Sequence, residues 1–387
     1  MKEFIREENK KIRDQLLWRE PAVLRESGPR EIVIESGRYI NFSSNDYLGY
    51  SKREEVVNAA IEALQKYGAG GRASRLVSGT LDIHKELESR LAELKGTEAS
   101  LLYPTGFMAN LGVISGLLGA GDCIILDRLD HASIIDAAKL SRCRMLVYEH
   151  ACLPSLEKVL LRARSYKKRL VVTDSLFSMD GDFCPLPGLA ELCRKHNAWL
   201  MIDDAHATGV LGSGGSGMAE HYNMRGKVDI VMGTLSKALG SQGGFVCGTK
   251  DMIEYLVNRS RPFIYTTAIS PPSCGAALAA LELVKTEPSK RNNLLSLSRK
   301  LRFEIKNRFP ENAVLLEEDV SQIIPFRAGS REKAIRLSQG LKEEGIFTPA
   351  IRPPTVPENE CRLRISLTSE HTEEDILKLL ACLKKLV

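Results

Sequence analysis

Seven short apolar runs recur through the middle of the chain: Ser100–Tyr103, Asp122–Leu126, Met145–Tyr148, Leu170–Thr173, Trp199–Ile202, Ile230–Met232 and Gly244–Gly248. Helical patterns separate most of them, for example Pro187–His196. Strands that are apolar on both faces need cover on both faces, and helical crossovers supply it. The pattern predicts an α/β fold: a large, mostly parallel seven-stranded sheet layered with helices.

The flanks read differently. Residues 1 to about 40 suggest an amphipathic helix, then strands Glu31–Ile34 and Arg38–Phe42 around the turn residues Ser36-Gly37. Glu54–Lys66, stopped by Gly68, and His84–Lys95, ended by Gly96, read as helices. An Ala-rich helix over Pro271–Leu283 precedes a charged one over Arg291–Phe309. A second set, Ile323–Phe326, Arg331–Glu344 and Leu363–Leu367, suggests a smaller α+β domain. The expected division is 1–45 for an N-terminal helix and arm, 46–284 for the large domain and 285–387 for the small one. No low-complexity linker separates them, so the boundary is expected in a helix or a short loop.

Composition excludes several classes of function. No run of about 18 apolar residues is present, so no membrane partner is expected. The N-terminus has no apolar core of the kind a secretory signal needs. The nine cysteines are scattered, with no CxxC and no finger-like spacing with histidine, which predicts reduced thiols in a cytoplasmic protein and no metal site. The net charge is +5, but the basic residues are interleaved with glutamate, so no nucleic-acid partner is expected.

The most informative stretch runs from Thr234 to Gly244 (TLSKALGSQGG). Lys237 follows an apolar strand and precedes Gly240, Gly243 and Gly244, where backbone can come close to a ligand. A lysine there can form a Schiff base with an aldehyde cofactor, although alone it reads equally as a solvated surface residue. The P-loop pattern is absent. Pyridoxal 5′-phosphate (PLP) chemistry also needs a carboxylate facing the pyridine nitrogen. Asp203 and Asp204 close the strand Trp199–Ile202, where α/β folds bind ligands. One of them is expected to cap the next helix and the other, Asp203, to face the ring. His206, three residues on, suits a contact with the phenolic oxygen.

Three further strand ends lead into polar turns. Tyr103–Asn110 (YPTGFMAN) opens a helix whose free N–H groups suit phosphate, or is an ordinary strand-to-helix turn. His131 follows Asp127-Arg-Leu-Asp and either stacks on a flat ring or caps a helix. Ser178 lies in the loop after Thr173. Together these place His131, Ser178, Asp203 and Lys237 just past four different strands.

Taken with Asn41–Gly49 (NFSSNDYLG), Ser74–Gly79 (SRLVSG), Phe177–Gly181 (FSMDG), Arg352–Pro357 (RPPTVP) and Arg362-Leu-Arg364, these motifs resemble the α-oxoamine synthase family of fold-type I PLP enzymes, from about residue 16 to the end. The resemblance implies that Lys237 carries the cofactor and later acts as base at Cα, that Asp203 pairs with the pyridinium, that His131 stacks on the ring and that His206 bonds the phenolic oxygen. It implies that Ser178, Thr234 and the N–H groups of Gly106 and Phe107 hold the ring and phosphate, with Thr267 reaching the phosphate from a neighbouring subunit. Asn45 and Arg364 would hold the amino-acid carboxylate, which a guanidinium fork matches. Arg19 would lie near the acyl carboxylate. Arg72 stands where related synthases carry a small residue or glycine. The implied activity is decarboxylative condensation of L-alanine with a pimeloyl thioester, carried on coenzyme A or acyl carrier protein, by a homodimer. The alternatives are a sister synthase that uses glycine and a PLP-fold protein that does no catalysis.

Overall fold

The computed structural model describes residues 1–314 and 320–387. The chain begins with α1 (Lys2–Asp14) and the strands β1 (Leu24–Ser27), β2 (Glu31–Ile34) and β3 (Gly37–Asn41). Then follow α2 (Glu54–Tyr67), α3 (Asp82–Lys95), β4 (Ala99–Tyr103), α4 (Gly106–Leu117), β5 (Cys123–Asp127), α5 (Ala132–Ser141), β6 (Arg144–Tyr148), α6 (Leu153–Arg162), β7 (Arg169–Asp174), α7 (Leu186–Lys195) and β8 (Trp199–Asp203). Next are α8 (Met218–His221), β9 (Ile230–Thr234), β10 (Gly244–Gly248), α9 (Lys250–Arg259), α10 (Arg261–Tyr265) and α11 (Pro271–Thr286). The last elements are α12 (Pro288–Arg308), β11 (Ile323–Gly329), α13 (Arg331–Glu343), β12 (Ile346–Phe347), β13 (Ala350–Ile351), β14 (Cys361–Ser366) and α14 (Glu373–Leu386).

These elements form two compact units. The larger comprises Leu48–Ser178 and Phe183–Asn292 and holds the expected seven-stranded sheet, in the order β4-β10-β9-β8-β7-β5-β6. Strands β9, β8, β7, β5 and β6 pair in parallel, whereas β10 runs antiparallel to both β4 and β9. The carboxyl ends of β4, β5, β7, β8 and β9 therefore lie along one edge of the sheet. Every residue of β5, β9 and β10 is buried, which is why these strands read as continuous apolar runs rather than as alternations. Ile124, Leu126, Val172, Met201 and Met232 pack in one cluster with Val113 and Ile114 of α4 and Ile134 of α5.

The smaller unit comprises Met1–Tyr47, Met179–Asp182 and Asn293–Val387. Its three-stranded antiparallel sheet has the order β11-β14-β13, and its second sheet has the order β1-β2-β3-β12. Strand β12 pairs in parallel with β3, through Ile346↔Ile40 and Phe347↔Asn41. That ladder joins the N-terminal meander to the C-terminal segment, where the sequence suggested a separate arm over 1–45. Residues 179–182 join the same unit because Ser321 Oγ donates to Gly181 O at 2.6 Å and Arg362 pairs with Asp180. The boundary at Asn292/Asn293 falls inside α12, a continuous helix.

Candidate active site

At the edge formed by the carboxyl ends of the strands, β5, β7, β8 and β9 end in Asp127, Asp174, Asp203 and Thr234. Strand β8 ends in Asp203, and the chain turns there because Asp203 Oδ1 accepts the Ala205 N–H at 3.0 Å. Asp203 is 4% exposed, and its Oδ2 accepts from Asn110 Nδ2 at 2.8 Å. Asp204 faces elsewhere. Its Oδ2 takes Lys95 Nζ at 2.6 Å, and its Oδ1 takes Ser175 Oγ at 2.6 Å and the Met218 N–H, the first of α8, at 3.1 Å. The two neighbouring carboxylates thus take different partners: Asp204 is held by Lys95, Ser175 and the Met218 N–H, and Asp203 by Asn110 and the Ala205 N–H.

Lys237 follows β9 in the turn Thr234–Gly243. That turn is closed by Leu235 N donating to Gly243 O at 3.0 Å and by Thr234 Oγ1 donating to the same oxygen at 2.8 Å. The Thr234 hydroxyl proton is therefore spent inside the turn. Lys237 Nζ lies 2.8 Å from His206 Nε2. Gly244 begins β10 so close to the start of α4 that a Cβ there would sit 2.5 Å from Thr105 O and 2.6 Å from Gly106 N.

Helix α4 starts at this contact. Thr105 caps it, with Oγ1 accepting from Met108 N at 3.1 Å and its carbonyl accepting from Ala109 N at 3.1 Å. The first-turn N–H groups of Gly106 and Phe107 lie outside the helix's own bonding, which is the anion-binding end of a helix. His131 caps α5, its Nδ1 accepting from Ser133 N at 3.3 Å, while its own N–H donates to Asp174 Oδ2 at 2.8 Å. Loss of water around the His131 ring lowers its pKa; the Asp203 charge opposes that shift and Lys237 adds to it. Beneath it, burial raises the pKa of Asp174 and Asp130 well above the carboxylate range, and nearby carboxylates add to the effect. Ser178 is half-buried at the end of the loop after β7, and Thr267 is exposed and bridged to Ser74.

The remaining expected residues lie in the smaller unit. Arg364 of β14 donates to Ser366 Oγ at 2.8 Å, Asn45 Oδ1 at 3.2 Å and the Tyr47 hydroxyl at 3.2 Å, which fixes its fork beside Asn45. Tyr47 is fully buried; burial raises its pKa and the Arg364 charge lowers it. Arg19 is exposed and donates to Pro353 O at 2.9 Å, within the RPPTVP motif.

Four residues of the larger unit carry geometry that sequence reasoning did not assign: Asn110, Ser133, Lys95 and Ser175. Asn110 had a signal, since it is the one amide in the otherwise apolar first turns of α4 (GFMANLGVISGL). Lys95 had none, because a lysine in the last turn of a helix is ordinary.

The sequence profile of the aminotransferase class I and II family matches residues 38–383. The chain belongs to this family. An 8-amino-7-oxononanoate synthase of Lysinibacillus sphaericus is 40% identical over 386 residues, covering 100% of this chain and 98% of that protein. Another, of Anaeromyxobacter dehalogenans, is 45% identical over 359 residues, covering 92% and 89%. Among solved structures, a serine palmitoyltransferase from S. paucimobilis carrying a PLP–myriocin aldimine has a TM-score of 0.92 and 31% identity, covering 99% of this chain and 96% of that one. An 8-amino-7-oxononanoate synthase from Francisella tularensis has a TM-score of 0.78 and 30% identity, covering 90% and 97%. The resemblance to the α-oxoamine synthases therefore holds, and the chain is a PLP-dependent enzyme of fold-type I.

The residues present fit that cofactor. On the PLP ring the aldehyde carbon and the phenolic oxygen are neighbours, so the lysine and the group bonding that oxygen must also be neighbours, as Lys237 and His206 are at 2.8 Å. The pyridine nitrogen needs a fixed acceptor, and Asp203 is a buried carboxylate held by two donors.

Proposed function

We propose that this enzyme condenses L-alanine with a pimeloyl thioester, carried on coenzyme A or an acyl carrier protein, to give 8-amino-7-oxononanoate, carbon dioxide and the free thiol, a step of biotin synthesis. The observations that carry the chemistry are the Lys237–His206 pair and the buried Asp203 carboxylate at the end of β8. The choice of substrates is supported by relatives of that name at 40–45% identity along nearly the whole chain.

When bound, the cofactor supplies an electron sink for charge developing at the alanine Cα. Lys237 would hold it through Nζ, and the same amine would serve as the base that takes the Cα proton of alanine. His206, at hydrogen-bond distance from Nζ, steers the amine between those two tasks. Asp203 would face the pyridine nitrogen, and His131 would lie over the ring. The helix start at Gly106 and Phe107, with Ser178, Thr234 and, from a second subunit, Thr267, would hold the ring and phosphate; backbone N–H groups would do most of this work, since the Thr234 proton is committed to Gly243 O. Arg364 and Asn45 hold the alanine carboxylate, and Arg19 serves the acyl end. We read the enzyme as a cytoplasmic homodimer, in keeping with nine unpaired cysteines.

The test uses PLP-loaded enzyme with L-alanine, glycine or L-serine, each offered with pimeloyl-CoA and with a pimeloyl carrier protein, and product masses are measured. Product from alanine with release of carbon dioxide is expected. Turnover confined to glycine would transfer the chain to the glycine-using synthases.

A further inference from the structure

We propose that Asn110 and Ser133 are positioning residues of this site, which hold the Asp203 carboxylate in place and fix His131 as its Nε2–H tautomer. The inference rests on the PLP-site reading above and deepens it. Asn110 is 1% exposed, and its Nδ2 donates both to Asp203 Oδ2 at 2.8 Å and to Ser133 Oγ at 2.9 Å. Ser133 Oγ in turn lies 2.7 Å from His131 Nδ1. One amide thus ties the carboxylate from β8 to the histidine that caps α5.

The donors and acceptors admit a single ordering. A backbone N–H can only donate, and that of Ser133 donates to His131 Nδ1 at 3.3 Å, so Nδ1 is an acceptor. The neutral ring then carries its proton on Nε2. Ser133 Oγ receives the Asn110 N–H and is left to donate its own proton to Nδ1. The Asn110 amide is fixed in turn, because flipping it would set Oδ1 against the Asp203 carboxylate. Its Oδ1 is buried without a hydrogen-bond partner, a cost the fold accepts while Nδ2 makes both contacts. The result is a directed chain, Asn110 to Ser133 to His131, that leaves the Nε2–H of His131 as the donor available to a reacting group. It also gives Asp203 a second donor besides the Ala205 N–H.

Two measurements test this on the holoenzyme. Nitrogen-15 spectra of the histidine rings, with His131 assigned by its loss in His131→Gln, are expected to show neutral His131 protonated at Nε2; a proton on Nδ1 overturns the proposal. Asn110→Ala is expected to lower kcat about 10- to 100-fold, the worth of one hydrogen bond to a charged group, with the KM for alanine little changed. Ser133→Ala removes only a hydroxyl and serves if Asn110→Ala does not fold; its kcat is expected to fall several-fold and to recover in Ser133→Thr. An unchanged kcat in either variant overturns the proposal. The two substitutions combined should cost no more than about the larger single effect, because they act through one chain. Absence of turnover by the wild type with alanine and a pimeloyl thioester would sink the functional reading and leave the tautomer measurement standing.

Discussion

Lys95 and Asp204 form an ion pair with side chains 2% and 1% exposed. The ammonium donates to Asp204 Oδ2 at 2.6 Å, to Thr208 Oγ1 at 2.8 Å and to Ser216 O, so all three of its protons are used. Lys95→Met keeps the stem and removes the charge. It leaves Asp204 with Ser175 Oγ and the Met218 N–H as donors, and it strips a donor from Thr208 and Ser216. Removing one partner of such a pair costs about 3–5 kcal/mol, because the other charge stays buried. In a unit of about 240 residues, each kcal/mol moves Tm by ~2–4 °C, so a fall of ~6–20 °C is expected. The chain has two tryptophans, Trp18 in the smaller unit and Trp199 in β8, so fluorescence in a Trp18→Phe background follows the larger unit alone. Asp204→Asn added to Lys95→Met should restore at least ~2 kcal/mol, since no uncompensated charge then remains. A Tm within ~2 °C of wild type for Lys95→Met, or a double variant less stable than that single one, would refute the reasoning.

Lys237→Ala is expected to bind PLP without the visible absorbance of the lysine-bound cofactor and to form no product; turnover by that variant would reject Lys237 as the anchor. In the smaller unit, burial lowers the pKa of His371 to about 4, against about 6.5 in the unfolded chain. The unfolded state therefore binds the extra proton between those values, so stability is full above pH ~6.5 and is lost as the pH falls toward 4, by up to about 3 kcal/mol. His371→Asn should flatten that window of the stability curve read from Trp18 fluorescence; an unchanged slope would remove His371 as the cause. A Cβ on Gly71 would sit 2.1 Å from Ala268 O, and Ala268 follows Thr267 in a segment bridged to Ser74. Gly71→Ala should thus destabilise the larger unit by about 1–3 kcal/mol and weaken PLP binding if Thr267 serves the phosphate; retention of both wild-type values would argue against that placement.

The division between what the sequence revealed and what it hid follows from the range of each signal. Strands β5, β9 and β10 were legible because burial on both faces favours a run of apolar residues, a property confined to about five consecutive positions. The end of α3 was legible because Gly96 takes a positive φ of 67° at the first residue past the helix. Arg72 stood out against the family pattern, and its φ of 59° gives that observation a physical sense, since glycine takes this conformation without strain. Lys237 and Asp203 were singled out because each stands past the end of an apolar strand, where the topology of α/β sheets gathers ligands, and the structure places them after β9 and at the end of β8. The arm over 1–45 was separated from the small domain because its ladder to β12 joins residues some 306 positions apart and involves only two pairs. Asn110 and Lys95 fail in the same way: their carboxylate partners lie 93 and 109 residues away. A polar residue whose partner is distant looks like any amide or lysine on a helix, and its meaning appears only when the fold brings the partner to it. Yet these two residues fix the neighbours Asp203 and Asp204, which differ by one position in sequence and are given opposite duties by α4 and α3. Within a pair of identical side chains, the role of each is therefore set by which helix end supplies its donor, and that assignment is a property of the assembled sheet edge.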